Sequence, residues 1–322
     1  MENARLVCVT GASGFIGSWI VCFLMQRGYH VRGTVQNLED ERETKHLRSL
    51  EGAKTQLDLF QIDLLDYGSL ITAIGKSEGV FHLASPCTLQ PPQDPQKELL
   101  DPAVQGTMNV LRASHAAGVK RVVITSSVSS MIPNRRLPPG VVVDENCWTD
   151  IEYCKEQGFW YPVSKVLAEK AAWKLAEELG LDVVVINPAT VLGPMLQPTL
   201  NASSLLFLNL LKGDPDTQGD NWLGVVSVKD IAEAHILLYE TAHAKGRHLC
   251  SEGIYQFSDL AEELAQMYPQ YNVYRFNEET QPWLVRCADP SKKLKSLGFT
   301  FTPRDQVIRD AVSSLQDKGL LP

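Results

Sequence analysis

Glycines at positions 11, 14 and 17 interrupt an apolar run, VCVTGASGFIGSWIV, spanning Val7–Val21. Glycine weakens strands and helices alike, so three of them at spaced positions need a structural reason. Val7–Thr10 reads as a strand and Phe15–Leu24 as an apolar helix, and a glycine-rich turn between two such elements is informative. Gly11 would allow a tight turn, Gly14 a close approach of backbone to a pyrophosphate, and Gly17 close packing of helix on strand. The positive end of the helix and its first amides, around Ser13, Phe15 and Ile16, would then meet the phosphates. The spacing is G-x-x-G-x-x-G, and a tight turn with no ligand is the alternative reading.

Further along, short apolar runs read as strands: Tyr29–Val35, Leu57–Gln61, Gly79–Leu83, Arg121–Ser126 and Asp182–Asn187. Helical patterns alternate with them at Ser18–Arg27, Tyr67–Ile74, Leu99–Ala117 and Val163–Leu179, and the charged run Asn37–Gly52 reads as a solvated helix. Strands apolar on both faces, alternating with helices, predict an α/β chain with a parallel sheet covered on two sides. After Pro188 the alternation fades. Residues 1–186 are therefore expected to form a dinucleotide-binding domain and 187–322 a smaller substrate-binding lobe, some of whose elements return to the first. The ligand is expected at the carboxyl ends of the strands, between the lobes. Asp63 ends one strand and could accept from an adenine amino group or cap the following helix; Phe81–Pro86 (FHLASP) ends another with small residues.

The net charge of −8 argues against nucleic acid or an anionic membrane as the main partner. No apolar run reaches the about 18 residues of a membrane span. The start of the chain lacks a charged n-region and a cleavage site, so a cytoplasmic location is expected. Seven scattered cysteines suit reduced thiols better than a disulfide framework; Cys147 and Cys154 are near enough in sequence to raise the idea of a redox pair. The histidines show no metal-ligand spacing, so no metal is expected, and most are read as surface or capping groups.

A second signal is FWYPVSKVLAEKAAW. Tyr161 and Lys165 are four apart, which places both on one helical face. An ammonium beside a phenol favours the phenolate, and such a tyrosine can give its proton to a carbonyl oxygen as hydride reaches the carbon. Lys165 would also hold the nicotinamide ribose. A serine must orient the carbonyl oxygen, and VVITSSVSSM offers Ser127, with Ser126 as the second choice.

Taken together, VTGASGFIGSW, DLLDYGSL, GVFHLASP, DENCWTD, SKVLAEKAAW, INPATVLGP, VKDIAEAHILLYE and KKLKSLGFTFTP resemble the extended short-chain dehydrogenase/reductase family over nearly the whole chain. Within it they are most similar to plant cinnamoyl-CoA reductases, short-chain cinnamyl alcohol dehydrogenases and dihydroflavonol reductases. The resemblance implies a Rossmann-type doubly wound parallel sheet with a smaller C-terminal α/β lobe. It implies a catalytic Ser127, Tyr161 and Lys165. It also implies cofactor contacts from Gly11, Ser13, Gly14, Phe15, Ile16, Gly17, Arg32, Gln36, Asp63, Leu64, Leu83, Ala84, Ser85, Thr125, Lys165, Pro188, Ala189, Thr190, Val191 and Ser203.

Two departures stand out. Where the family usually has an arginine for the 2′-phosphate of NADP, this chain has Gln36, a loss of about 1–2 kcal/mol if nothing replaces it. Arg32, Arg42 and Lys45 are candidates to replace it, and no acid stands at 36 itself, although Glu39, Asp40, Glu41 and Glu43 follow. NADP(H) is the expected cofactor, with NAD(H) kept open by Gln36. Around the tyrosine, GFWYPVSK stands where cinnamoyl-CoA reductases carry NWYCYGK, and Leu206, Asn209 and Phe257 align with basic residues that hold CoA phosphates. The expected activity is therefore reduction of a phenylpropanoid-type aromatic aldehyde or ketone. Met131, Leu192, Trp222, Val226 and Trp283 are candidate pocket residues, with core packing as their other reading. Alternatives are reduction of a hydroxycinnamoyl-CoA thioester and, of another class, a non-catalytic dinucleotide sensor. A monomer or homodimer is expected.

Overall fold

Alternate residues of the apolar strands feed two separate apolar layers. In the computed structural model, Val7, Val9, Val123, Val184 and Ile186 enter one buried cluster, while Cys8, Val122, Ile124, Val183 and Val185 enter another. Successive side chains of a strand point to opposite faces, so a strand apolar at every position belongs inside a sheet covered on both sides. The structure describes residues 5–87, 92–138, 140–214, 222–276, 281 and 284–322.

Up to Pro188 the chain runs β1 (Leu6–Thr10), α1 (Phe15–Gln26), β2 (His30–Val35), α2 (Glu41–Arg48), α3 (Ala53–Gln56), β3 (Leu57–Gln61), α4 (Tyr67–Ile74), β4 (Gly79–His82), α5 (Asp101–Ala116), β5 (Arg121–Thr125), α6 (Ile151–Glu156), α7 (Trp160–Leu179) and β6 (Val183–Pro188). The remainder runs β7 (Thr190–Leu192), α8 (Ala202–Lys212), β8 (Trp222–Leu223), β9 (Val225–Ser227), α9 (Val228–Glu240), β10 (Gly246–Cys250), β11 (Tyr255–Gln256), α10 (Phe257–Met267), α11 (Lys292–Ser296) and α12 (Arg304–Asp317). Seven strands form one parallel sheet in the order β10-β6-β5-β4-β1-β2-β3, a doubly wound α/β arrangement. Helices α1 and α9 pack together on one face, and α5 and α7 on the other.

The segment after Pro188 is divided. β10 joins the large sheet beside β6, and α9 packs on α1, whereas β7–β9 and β8–β11 form two small two-stranded sheets. Local sequence sets several helix starts. Asp40, Asp66, Asp150 and Ser227 accept from first-turn amides of α2, α4, α6 and α9, which satisfies donors that a helix start otherwise leaves open. The charged run after Asn37 is helical only over Glu41–Arg48, and α5 is preceded by a π-helical turn over Gln96–Leu100. Among the described residues no helix is long and apolar enough to cross a membrane.

Candidate active site

The glycine turn lies at the carboxyl end of β1. Gly11 has φ +69, and a Cβ there would lie 3.1 Å from Ala84 N, so the turn also needs a bare residue for its approach to β4. A Cβ on Gly17 would lie 2.2 Å from the Gly11 carbonyl oxygen. Helix and turn can meet this closely only without a side chain. Helix α1 begins at Gly14 with no side-chain cap and no acid in its first turn. Its leading amides thus stay open to an anion, as a dinucleotide pyrophosphate requires.

The end of β4 is pinned from below. Thr10 Oγ1 accepts from Leu83 N and Ala84 N, both at 3.1 Å, so its hydrogen goes to His82 Nδ1 at 2.9 Å. His82 Nε2–H then donates to Thr107 Oγ1 at 3.2 Å. Burial, with the Lys165 ammonium adding to it, pulls His82 down to about 3, so it remains a neutral strut. His82, His235 and His248 are buried rather than surface or capping groups.

Ser127, Tyr161 and Lys165 come together across the ends of β5 and α7. Ser127 follows β5, its Oγ accepts from Ser129 N at 3.0 Å, and its hydroxyl is near enough to the Tyr161 phenol to favour the ionised form. Tyr161 opens α7, and one turn on, the Lys165 ammonium lies 5.5 Å from the phenol ring centroid. The expected lowering of the tyrosine is not what this geometry gives. Burial pushes the Tyr161 phenol up, with the Cys87 thiol next in weight, and the nearby Ser127 hydroxyl opposes them only partly. Burial likewise pulls Lys165 down. At 5.5 Å from the ring centroid the ammonium leaves desolvation in charge.

The Ser126 hydroxyl, the second candidate for orienting the carbonyl, is engaged elsewhere. It donates to Glu169 Oε2 at 2.6 Å, joined there by Ser130 Oγ at 2.8 Å and Asn187 Nδ2 at 3.1 Å. The other oxygen, Oε1, accepts from Arg247 Nε at 2.6 Å. Arg247 also donates to Ser130 Oγ at 2.8 Å and stacks 3.9 Å over the Trp148 ring. Asn187 in turn reaches the Ser127 carbonyl at 3.3 Å. Sequence reasoning passed over this network, although Glu169 is four residues beyond Lys165 on one helix face and Arg247 is a charge inside an otherwise buried strand.

A sequence model of the NAD dependent epimerase/dehydratase family matches residues 7–250. The chain belongs to that family. Its relatives include cinnamoyl-CoA reductase 1 of Petunia hybrida, 47% identical over 99% of this chain and 95% of that protein. Tetraketide alpha-pyrone reductase 1 of Arabidopsis thaliana is 40% identical over 100% and 98%. Among solved structures, vestitone reductase from alfalfa (Medicago sativa L.) superposes with a TM-score of 0.82 at 33% identity, covering 98% of this chain and 99% of that one. The yeast methylglyoxal/isovaleraldehyde reductase Gre2, solved with NADPH, gives 0.84 at 26% identity over 98% and 100%. This epimerase/dehydratase-family chain is an NAD(P)-dependent oxidoreductase of the extended short-chain dehydrogenase/reductase type, in the group of plant cinnamoyl-CoA and related reductases.

Several expected contacts of this family member lie at or just past the carboxyl ends of the parallel strands, or are tied to segments that do. Asp63 ends β3 and accepts from Leu65 N at 2.8 Å, while Asp66 caps α4; the Leu64 carbonyl is held by Asn109 at 3.0 Å. Pro188 ends β6, Thr190 and Val191 lie on β7, and Ala189 N donates to the Cys250 carbonyl at 3.1 Å. Ser203 on α8 donates to the Val191 carbonyl at 2.7 Å, and Ser85 is half-buried past β4. Other placements need correction. Arg32 points away from the turn, donating to the Thr72 carbonyl at 2.9 Å and lying 4.2 Å over the Phe60 ring. The Thr125 hydroxyl goes to His235 at 2.6 Å, which leaves only its backbone for a cofactor. Met131, Leu192, Trp222 and Val226 are 0%, 1%, 3% and 1% exposed inside apolar clusters, so they pack the core rather than line a pocket. Trp283 lies outside the described residues.

Cys147 and Cys154 are free and buried. Burial raises both thiols, Cys154 to about 12, and so holds them in their unreactive protonated form. Among the described residues no group of three or more metal-ligating side chains forms.

Proposed function

We propose that Tyr161, Ser127 and Lys165 reduce a phenylpropanoid-type carbonyl with a nicotinamide dinucleotide held over the Gly11–Gly17 turn. The observation that carries this reading is the meeting of Ser127, Tyr161 and a buried Lys165 at the same carboxyl ends of the parallel strands from which the uncapped α1 starts. The dinucleotide supplies hydride. Gly14, Phe15 and Ile16 fit its pyrophosphate, and Lys165 its ribose. Ser127 orients the carbonyl oxygen, and Tyr161 hands its phenol proton to that oxygen. A raised phenol suits this role, since reduction needs the proton in place at neutral pH. The chain after Pro188 forms the substrate side of the cleft.

Two substrate readings follow. The relatives' names favour a hydroxycinnamoyl-CoA thioester, the second of the two sequence readings. A free aromatic aldehyde or ketone has a local observation on its side. Leu206 and Phe257, two of the three positions aligned with CoA-holding bases, line a small apolar pocket with Thr190, Phe207, Leu210 and Leu260, none of them charged. Steady-state rates with feruloyl-CoA and coniferaldehyde separate the two: a higher kcat/KM for the thioester removes the aldehyde reading. Tyr161→Phe is expected to lower turnover by about 10²–10⁴ while leaving dinucleotide binding in place. Undiminished turnover in that variant would remove the proton donor and with it the proposed mechanism.

A further inference from the structure

Dinucleotide-binding sheets of this kind choose between NAD and NADP beyond the end of the second strand. An acidic side chain there takes the ribose hydroxyls, or a cationic one takes the 2′-phosphate. Here β2 ends at Val35, and its neighbour Thr34 is tied to the glycine turn: Ala12 N donates to the Thr34 carbonyl at 2.9 Å and Gly11 N to Thr34 Oγ1 at 3.1 Å. A carboxylate bridges the two sides of this corner. Glu43, in the first turn of α2, accepts through Oε2 from the Gln36 amide at 2.8 Å and from the Ser13 hydroxyl at 3.4 Å.

The neighbouring cations do not balance it. Arg32 is drawn to Thr72 and Phe60 on the far side of β2. Arg42 closes a fork on Asp40, with contacts of 3.0, 3.1 and 2.7 Å. Lys318 donates to the Gln197 carbonyl at 2.8 Å. His46, whose ring lies near Ser13, is pulled down by burial and stays neutral. Lys45 is exposed, as are Glu39 with its carboxylate and Glu41 with another.

We propose that Glu43 is a specificity-determining residue that makes this chain prefer NAD(H) to NADP(H). This rests on the dinucleotide reading above and reverses the expectation of NADP(H). A 2′-hydroxyl can donate to Glu43 as the Ser13 hydroxyl does now. A 2′-phosphate would set two like charges side by side with no guanidinium between them, which disfavours it.

Titration calorimetry of the intact protein with 5′-AMP, 2′,5′-ADP, NADH and NADPH tests the assignment without any turnover. The expected result is tighter binding of 5′-AMP and NADH by at least about tenfold over their 2′-phosphorylated counterparts. Glu43→Gln should bring NADPH to within about threefold of NADH, and Glu43→Lys combined with Gln36→Arg should invert the order. Tighter binding of 2′,5′-ADP than of 5′-AMP by the unaltered protein would overturn the assignment, as would an unchanged ratio in Glu43→Gln. Binding of none of the four would overturn it together with the dinucleotide reading, and that result is distinct from the other two.

Discussion

Glu169 and Glu43 are both carboxylates that accept from a serine hydroxyl near the cleft, yet they sit in opposite electrostatic settings. Glu169 is 2% exposed, and its oxygens receive Ser126, Ser130, Asn187 and the guanidinium of Arg247. Glu43 lies at a half-open rim with one amide and one hydroxyl, and among the described residues no cation forms an ion pair with it, Arg42 being paired to Asp40. The first charge is fully matched, which offsets the cost of burying a carboxylate. The second is left with unsatisfied accepting capacity and a negative field. A matched buried charge fixes structure, whereas an unmatched charge at a rim selects what binds.

The sharpest test of that contrast removes the buried carboxylate. Glu169→Ala leaves the Arg247 guanidinium at 8% side-chain exposure without its partner, at a cost of about 3–5 kcal/mol. Denaturant midpoints should fall accordingly. Because Asn187 links Glu169 to the Ser127 carbonyl, turnover should fall as well, through kcat more than KM. Replacing both partners, Glu169→Leu with Arg247→Met, should recover most of the stability, since no buried charge is then orphaned. If Glu169→Ala unfolds at the wild-type midpoint, the network is not what holds the ends of β5, β6 and β10 together.

Acid should attack the same interior. Burial is the first cause lowering His82 to about 3 and His235 and His248 to about 4, from an ordinary 6.5. The unfolded chain binds these protons first. Their contribution to stability is therefore complete above pH 6.5 and declines as pH falls toward 4 and below. Thermal melts from pH 7.5 to 4 should show a falling midpoint over that window. His82→Asn, which keeps hydrogen-bonding capacity but does not titrate, should flatten the curve, and an unchanged slope would remove His82 from this account. On the alkaline side the raised Tyr161 phenol predicts the opposite sign for activity. Reductive kcat/KM should hold through neutral pH and fall only where the phenol begins to lose its proton.

How far the sequence discloses this molecule depends on whether a signal is local. The strands, the glycine turn and the Tyr161–Lys165 spacing are readable because side-chain period, backbone freedom and helical register are properties of short segments. The preference for Ser127 over Ser126 rests on the family resemblance, and the donation of Ser126 to Glu169, which bears on it, is invisible without the fold. Arg32 misled for a similar reason. It has the right charge beside the right strand, but residues alternate across a strand, and its side chain meets Phe60 and Thr72 instead of the turn. The pocket residues failed more broadly, since an apolar side chain reads the same whether it faces core or ligand, and Met131, Leu192 and Val226 face core. Glu43 was noted only as one acid in a crowded run. Its distinction is a long-range contact, to a serine thirty residues earlier.

The smallest expected effect separates the two carboxylates by salt. Raising ionic strength from 0.1 M to 1 M shortens the screening length from about 10 Å to about 3 Å, and exposed charges feel this far more than buried ones. The NADH-over-NADPH binding ratio should therefore narrow, by about two- to threefold, because the repulsion at Glu43 acts across a rim that water and ions reach. The stability lost in Glu169→Ala should stay constant over the same range, because no counterion can enter where both partners are under one-tenth exposed. Parallel salt titrations of nucleotide affinity and of denaturation midpoints measure the two side by side. If the nucleotide ratio holds steady while the Glu169→Ala deficit shrinks, the roles assigned to the two carboxylates are reversed.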